Sequence, residues 1–220
     1  MFLELEHIRT CRAAMEGYEL RLGFGLHYGW AIEGAIGSRT KIDASYLSPH
    51  VAKAEDLEGS TKKYGVNYLM SDSFVDLLPE VERSEVRKVD EIFLGTKEDG
   101  EVLGLYAHDL LDLYRKVLDA DGNPPEDQKL RWTDEHTPQY DIRSNNRVAA
   151  FLKQYETGIA HYLDGNWGEA AVRLEKALEM NPTDGPSLAI LAFMKMHGEP
   201  PEEWAGMRNG HKHLDALRRK

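Results

Sequence analysis

The sequence predicts an α+β fold followed by a helical segment. Three observations support this prediction. Apolar residues alternate at a period of two in several short stretches before residue 107, stretches with helical spacing separate them, and only helical spacing follows residue 147. Strands and helices in this order pack as helices on a mixed or antiparallel sheet. We therefore expect such a sheet with helices on one face, and a small all-α helical hairpin after it.

The N-terminal part is predicted to contain one helix and two strands. Apolar residues recur at helical spacing over 5–15, and Gly17 is predicted to end this helix. Alternation then predicts strands over 22–28 and 30–38. Because so few residues separate the two strands, we expect them to form a hairpin around Tyr28.

One face of the first predicted strand is nearly bare. Its alternate positions are Gly23, Gly25, His27 and Gly29. Glycine weakens a strand and is tolerated where another backbone or a ligand comes close. Two interpretations therefore stay open, tight packing of a helix on this face and direct contact with a ligand. For His27 we expect a packed or hydrogen-bonded residue, since no second metal-binding residue type is spaced with it.

Capping and turn signals predict the next elements. Ser48 and Pro49 are typical of a helix N-terminus, and Gly65 is typical of the C-terminal end of that helix. Further elements are a strand over 66–70, a short helix over 71–78, and strands over 86–94 and 102–107.

The C-terminal half is predicted to be an arm followed by helices. Residues 113–146 are polar, lack periodicity and include Pro124 and Pro125, which indicates a linker or extended arm. Small and apolar residues of 147–220 fall on the positions of a tetratricopeptide-type repeat; they are Gly158, Ala170, Leu174, Ala177 and Pro182. One repeat cannot bury its own apolar face, so we expect it to dock on the preceding domain, which we favour, or on another protein.

Charge and composition restrict the classes of partner. The net charge of −11 repels phosphate backbones and anionic lipids, so neither nucleic acid nor membrane insertion is expected. The single cysteine, Cys11, excludes an intramolecular disulfide. No apolar run is long enough to span a bilayer, and the acidic N-terminus is unlike a signal peptide. We expect an intracellular protein, soluble or part of a larger assembly.

Motifs over 23–65 resemble those of the class III adenylate and guanylate cyclases. Gly25 to Gly29 form a G-x-H-x-G strand motif, and Gly34 to Ser38 form a G-x-I-G-S motif. The segment from Lys41 through the following helix is similar to the family's purine-contacting turn, Arg87 to Gly95 look like its closing strands, and 167–204 are similar to the tail seen in unicellular eukaryotes. The resemblance implies a partial ferredoxin-like cyclase domain over 1–112, a linker over 113–146, and a tetratricopeptide-like tail over 147–220.

The resemblance implies a nucleotide-binding site in which one residue is retained. Asp43 matches the position that accepts a hydrogen bond from the adenine amino group, so ATP is the nucleotide expected if any binds. Lys41 lies near enough in sequence to contact a base or phosphate. The other interpretation of Asp43 is a turn-capping aspartate. We favour that interpretation, because the partner residues of the nucleotide site are missing.

The catalytic positions implied by the resemblance are lost. The family pattern V-N-x-A-x-R places Ala52 at the asparagine that orients the ribose and Asp56 at the arginine that stabilises the phosphates. Loss of one preorganised donor costs ~10²–10³ in rate, and a carboxylate adds repulsion. The family's two metal-binding aspartates precede the helix at which this chain starts, so Mg²⁺ or Mn²⁺ is expected only if a partner supplies them. The resemblance thus implies a relative of these phosphorus–oxygen lyases that is inactive when it is alone.

Three functional hypotheses follow from these expectations. The preferred one is a degenerate, truncated cyclase-homology protein that acts as a structural or regulatory subunit, with a protein partner covering the open edge of its sheet. The alternative is one half of a split or heteromeric adenylate cyclase that converts ATP to cyclic AMP in signalling. The third is an incomplete product of a longer coding sequence whose true start precedes Met1.

Overall fold

The described residues form an α+β fold with a mixed sheet, which confirms the predicted fold class. The computed structural model describes residues 22–38, 40–94, 100–110, 145–202 and 204–209. The strands are β1 (Phe24–Leu26), β2 (Ile32–Gly37), β3 (Ile42–Leu47), β4 (Tyr68–Ser71), β5 (Arg87–Leu94), β6 (Glu101–Ala107) and β7 (Arg208–Asn209). The helices are α1 (Pro49–Tyr64), α2 (Asp72–Val75), α3 (Glu80–Ser84), α4 (Asn146–Leu163), α5 (Trp167–Met180) and α6 (Gly185–His197).

The main sheet has five strands in the order β1-β4-β6-β5-β7. β1 runs parallel to β4 and β5 runs parallel to β7, whereas β6 is antiparallel to both β4 and β5. Helix α1 packs on β1 and β4. A core of apolar side chains lies between helix and sheet; its buried members are Leu57, Tyr64, Val66, Leu69, Val89, Ile92, Leu103, Leu105 and Ala107.

The predicted hairpin between the first two strands is wrong. β1 pairs with β4, and Phe24 lies opposite Tyr68. β2 pairs instead with β3 in a separate two-stranded sheet, in which Ile32 lies opposite Leu47. β3 covers residues that we expected to form a turn. Local alternation marks where a strand lies, but the partner depends on residues that are distant in the sequence.

Helix α1 begins and ends where its capping residues predict. The Ser48 hydroxyl accepts a hydrogen bond from the backbone N–H of His50 at 3.0 Å, and Pro49 occupies the first turn. Gly65 ends the helix in the left-handed conformation, with φ of 62°, and its N–H bonds the carbonyl of Thr61. Glycine adopts this conformation without the steric cost of a Cβ atom.

The bare face of β1 lies against α1. A Cβ atom placed on Gly25 would lie 2.1 Å from the carbonyl oxygen of Ala54 and 2.4 Å from the backbone nitrogen of Glu58. A Cβ atom on Gly23 would lie 2.5 Å from the hydroxyl of Thr61. The structure therefore shows tight helix packing on this face, which is the first of the two interpretations.

The segment predicted as one short helix over 71–78 is interrupted. The hydroxyl of Ser71 caps α2, which ends at Val75, and a turn leads to α3 after Pro79. Proline fixes its own φ and lacks an N–H group, so a helix usually ends before it. The predicted strands over 66–70, 86–94 and 102–107 correspond to β4, β5 and β6 with ends that shift by one or two residues.

The helices α4, α5 and α6 enclose a second core. Gly158 allows α4 and α5 to approach closely, since a Cβ atom there would lie 2.9 Å from the side chain of Leu174. Asp184 caps α6 by accepting hydrogen bonds from the backbone and hydroxyl of Ser187. The largest buried side chains of this core are Phe151, Tyr155, Tyr162, Trp167, Leu174 and Ile190.

Buried charges join the helices to the sheet. The Arg87 guanidinium on β5 donates two hydrogen bonds to Asp109, at 2.9 and 2.6 Å, and one to Asp184 at 2.7 Å. Burial opposes its charged form, but the two carboxylates outweigh burial and raise the pKa of Arg87. The Tyr155 hydroxyl of α4 donates to the carbonyl of Lys88 at 2.9 Å. The helical part therefore docks on the sheet within the chain.

A second buried charge ties β7 to the sheet edge. The Nε of Arg208 lies 2.9 Å from Oδ2 of Asp90 on β5 and donates to the Tyr162 hydroxyl at 2.7 Å. The Tyr64 hydroxyl donates to the same Asp90 oxygen at 2.5 Å. The Arg208 guanidinium also stacks 4.1 Å from the ring centroid of Phe193. Arg208 therefore connects β7 with β5 through Asp90 and with α4 through Tyr162.

Lys63 gives the fold a pH dependence. Burial lowers the pKa of its ammonium to about 7, and the charge of Arg208 adds to this effect, while Asp90 opposes it. The unfolded chain, with an ordinary lysine, binds the proton up to a higher pH, so the free energy of unfolding should rise between pH 7 and pH 9. We expect Lys63→Met to remove about 1–2 kcal/mol of that rise in urea titrations. Lys62→Met, at the exposed neighbour, should keep it.

Several predicted features lie outside the described residues. These are the helix over 5–15 and most of the linker over 113–146. The domain boundaries at residues 112 and 146 stay predictions. Among the described helices, none is both long and apolar enough to cross a membrane.

Candidate functional site

The two residues predicted to contact a nucleotide lie in the two-stranded sheet and directly before its second strand. Asp43 is part of β3 and lies opposite Ile36 of β2. Nζ of Lys41 lies 3.2 Å from Oδ2 of Asp43, and their side chains are 80% and 65% exposed. Asp43 is therefore a strand residue in an exposed ion pair, and the structure does not place it in a turn. Such a pair in water contributes little to stability.

The two residues that the resemblance assigns to lost catalytic positions lie on α1. Ala52 and Asp56 are four residues apart, so they lie on the same side of the helix, one turn from each other. Ala52 is exposed and Asp56 is half-buried. Asp56, at the position where the resemblance predicts an arginine, therefore presents a carboxylate, which would repel the negative charge of a triphosphate.

His27 is hydrogen bonded at both ring nitrogens. Nδ1 lies 2.8 Å from the hydroxyl oxygen of Ser71, and Nε2 lies 2.8 Å from Nδ1 of His50. Burial lowers the pKa of His27, with the charges of Lys53 and His50 as lesser causes. The described residues contain no group of three or more histidine, cysteine or acidic side chains that could hold a metal ion. These contacts agree with the expectation of a packed strand histidine.

An exposed apolar surface, which sequence reasoning missed, surrounds the two-stranded sheet. We call it the hairpin surface and define it by Tyr28, Trp30, Ile32, Ile42, Tyr46 and Leu47, each 58–70% exposed. By the register of β2 and β3, Ile32 and Leu47 lie on one face of the two-stranded sheet, and Ile42 and Tyr46 lie on the other. Two strands alone are at best marginally stable in water, and exposed apolar patches mark interaction sites. The alternation of Ile42, Ala44 and Tyr46 could have indicated it, since these residues pair with β2 and belong to none of the core clusters of the described residues.

The edges of the main sheet differ. At one edge, β7 covers β5 over Ile92 and Phe93. At the other, β1 pairs with β4, and the described residues place no strand on its other side. An unpaired strand edge presents free backbone donors and acceptors to another chain.

Comparison with known proteins finds adenylate cyclases. An adenylate cyclase from Anabaena cylindrica is 31% identical over 87 residues, which are 40% of this chain and 17% of that protein. Adenylate cyclase 1 from Rhizobium meliloti (strain 1021) is 32% identical over 71 residues, which are 32% of this chain and 11% of that protein. The chain thus spans less than a fifth of the length of these relatives.

No family model matches the chain. The tetratricopeptide character of the tail stays a prediction. What the similarity supports is a cyclase-like domain, because about a third of the chain or more is similar to adenylate cyclases.

Proposed function

We propose that this chain is a cyclase-homology protein that has lost catalysis and works as a structural or regulatory subunit of a protein assembly. The observation that supports it best is the hairpin surface, which leaves six large apolar side chains more than half exposed. Burying apolar surface contributes about 25 cal/mol per Å², so covering these side chains favours association with a protein partner.

The altered catalytic positions support the loss of activity. Asp56 carries a negative charge where the cyclases that this chain resembles carry an arginine, and Ala52 lacks the amide that orients the ribose. The described residues also do not fit a two-metal site, since no cluster of three or more metal-binding side chains occurs among them. Mg²⁺ or Mn²⁺ would bind only with ligands from a partner.

One observation favours a second candidate function. Asp43 of β3 and Lys41, which directly precedes β3, are exposed together, and another protein could complete a nucleotide site there. In that case the chain is one half of a heteromeric adenylate cyclase, and its contribution is recognition of the adenine amino group by Asp43. The similarity to adenylate cyclases supports both candidates equally.

Turnover by the isolated chain separates a complete enzyme from both candidates. We expect it to make no more cyclic AMP from Mn²⁺·ATP than a control without protein. Restoring Ala52→Asn and Asp56→Arg together should not raise the yield, because on this proposal the metal ligands come from a partner. Cyclic AMP above the control from either protein would show that a functional metal site has been overlooked.

Association tests the proposed role directly. Native mass spectrometry of the protein from its own source should show a stoichiometric complex with another chain. The double variant Ile42→Thr, Tyr46→Thr keeps β-forming residues but removes apolar surface, so the complex should be lost. Leu77→Ser removes an equally exposed apolar side chain elsewhere and should leave the complex intact. A hairpin variant that still forms the complex contradicts the proposal, and a complex that makes cyclic AMP supports the second candidate.

A further inference from the structure

A pair of histidines fastens the segment between β1 and β2 to the start of α1. His27 follows β1 directly, and His50 lies in the first turn of α1. Nε2 of His27 lies 2.8 Å from Nδ1 of His50, and the two rings are stacked with their centroids 5.0 Å apart. The hydrogen bond spans 23 residues, so it joins two elements that the chain does not place together locally.

The residues after His27 depend on this contact for their position. Gly29 packs against the His50 ring so closely that a Cβ atom would lie 2.1 Å from Cγ. The Trp30 ring meets His50 edge-on at 5.8 Å, and the carbonyl of Trp30 accepts a 2.5 Å hydrogen bond from the Ser48 hydroxyl. Trp30 leads into β2, so these contacts link the hairpin surface to the start of α1.

The number of protons that the pair can hold is limited by geometry. A hydrogen bond between Nε2 of His27 and Nδ1 of His50 requires one proton between the two nitrogens. Two neutral rings satisfy this condition, and so does a pair with one added proton. A second added proton would place two N–H groups face to face at 2.8 Å, and two like charges beside each other. The doubly protonated pair must therefore separate.

The surroundings of His27 place this second protonation below the ordinary histidine range. Burial is the largest cause that lowers the pKa of His27, and the charges of Lys53 and His50, both on α1, lower it further. Glu101 of β6 and Asp72 of α2 oppose them. Lys53 is itself paired with Glu101, so these two charges largely cancel. On the Nδ1 side, His27 faces only the uncharged hydroxyls of Ser71 and Ser73.

We propose that His27 and His50 form a proton-operated latch that holds the segment 28–31, and with it the hairpin surface, against α1 at neutral pH and releases it in acid. The difference in proton binding between the closed and the open form sets the direction of the pH effect. The closed form excludes the second proton and the open form accepts it, so closure is stable at and above the ordinary histidine range and is lost as the pH falls below it.

Hydrogen exchange of the full chain tests the latch. Between pH 7.5 and pH 5.0, the amides of 28–31, corrected for the intrinsic effect of pH, should exchange about tenfold faster in the wild type. In His50→Asn, the side-chain oxygen takes the place of Nδ1 as an acceptor without adding a charge, so the same amides should change by less than about twofold. His108→Asn, at an exposed histidine paired with Glu85, should behave like the wild type.

Two further measurements separate release of the latch from global unfolding and from an unrelated effect of pH. Amides of α4 over 148–162 should be equally protected at both pH values, which separates local release from global unfolding. Nuclear magnetic resonance of the wild type should show that the pKa of His27 lies below the ordinary histidine value. The proposal is overturned if His27 titrates at the ordinary value, if the wild type shows no faster exchange, or if His50→Asn responds as strongly as the wild type.

Discussion

Replacing Arg87 with methionine is expected to lower the free energy of unfolding by about 3–5 kcal/mol. The Arg87 side chain is fully buried, and it neutralises Asp184, whose side chain is 1% exposed, and Asp109. Methionine fills much of the same volume but leaves two carboxylates facing each other in a poorly solvated site. The cost is that of uncompensated charge, and it exceeds the loss of packing.

The position of Arg87 makes this effect large. Its guanidinium lies 4.4 Å from the ring centroid of Tyr155, which belongs to α4, and Asp184 caps α6. One substitution therefore disturbs the sheet, the cap of one helix and the packing of another. We expect the helices and the sheet to unfold together in the wild type, since these charges couple them.

Urea unfolding at pH 7 measures the change. Arg87→Lys keeps the charge but loses the bidentate contact with Asp109. It should therefore lower the free energy of unfolding by about 1–3 kcal/mol, which is less than the methionine variant loses. It also remains measurable if the methionine variant does not fold. Lys41→Met breaks the exposed pair with Asp43 and should cost under about 0.5 kcal/mol. If the Arg87 and Lys41 variants lose the same free energy of unfolding, the buried cluster contributes no more to stability than a surface ion pair.

Local signals explain why the elements could be predicted. Ser48, Pro49 and Gly65 set the ends of α1 through contacts within a few residues, and the structure has each of them in the expected role. The strands over 86–94 and 102–107 alternate clearly, and they form β5 and β6. Where the deciding contact is local, the sequence predicts the structure.

Contacts between distant residues explain what could not be predicted. Arg87 and Asp184 are 97 residues apart, and neither is marked in the sequence as a partner of the other. The same limit hid the pairing of β2 with β3 and the contact of His27 with His50. For the candidate site, the sequence identified Asp43 and Lys41, but their exposure beside an apolar surface depends on how β3 pairs.

Glycines on α1 and β1 provide the second large expected effect. Gly25→Ala should lower the free energy of unfolding by about 1–3 kcal/mol, because the new methyl group would lie 2.1 Å from the carbonyl oxygen of Ala54. The obstacle is helix backbone, which cannot rotate away as a side chain can. Gly25 has a negative φ, so alanine brings no backbone strain of its own and the penalty is steric.

Gly59→Ala is the matched substitution and should have the opposite sign. Gly59 lies in α1, and a Cβ atom there meets nothing within 4 Å beyond the helix itself. Alanine is a better helix former than glycine, so we expect a gain of about 0.5–1 kcal/mol. The two substitutions add the same methyl group at positions 34 residues apart. They therefore compare a strand face covered by α1 with an open face of α1.

Urea unfolding of both variants decides what the bare face of β1 does. A loss of stability in Gly25→Ala with a gain in Gly59→Ala shows that Gly25 allows α1 to pack on β1, which leaves no room there for a ligand. If Gly25→Ala costs less than about 0.5 kcal/mol, α1 does not cover the strand as closely as the structure places it. The glycine-lined face would then be available to a ligand, and a nucleotide contact through β1 would have to be tested before the chain is treated as a subunit without a substrate.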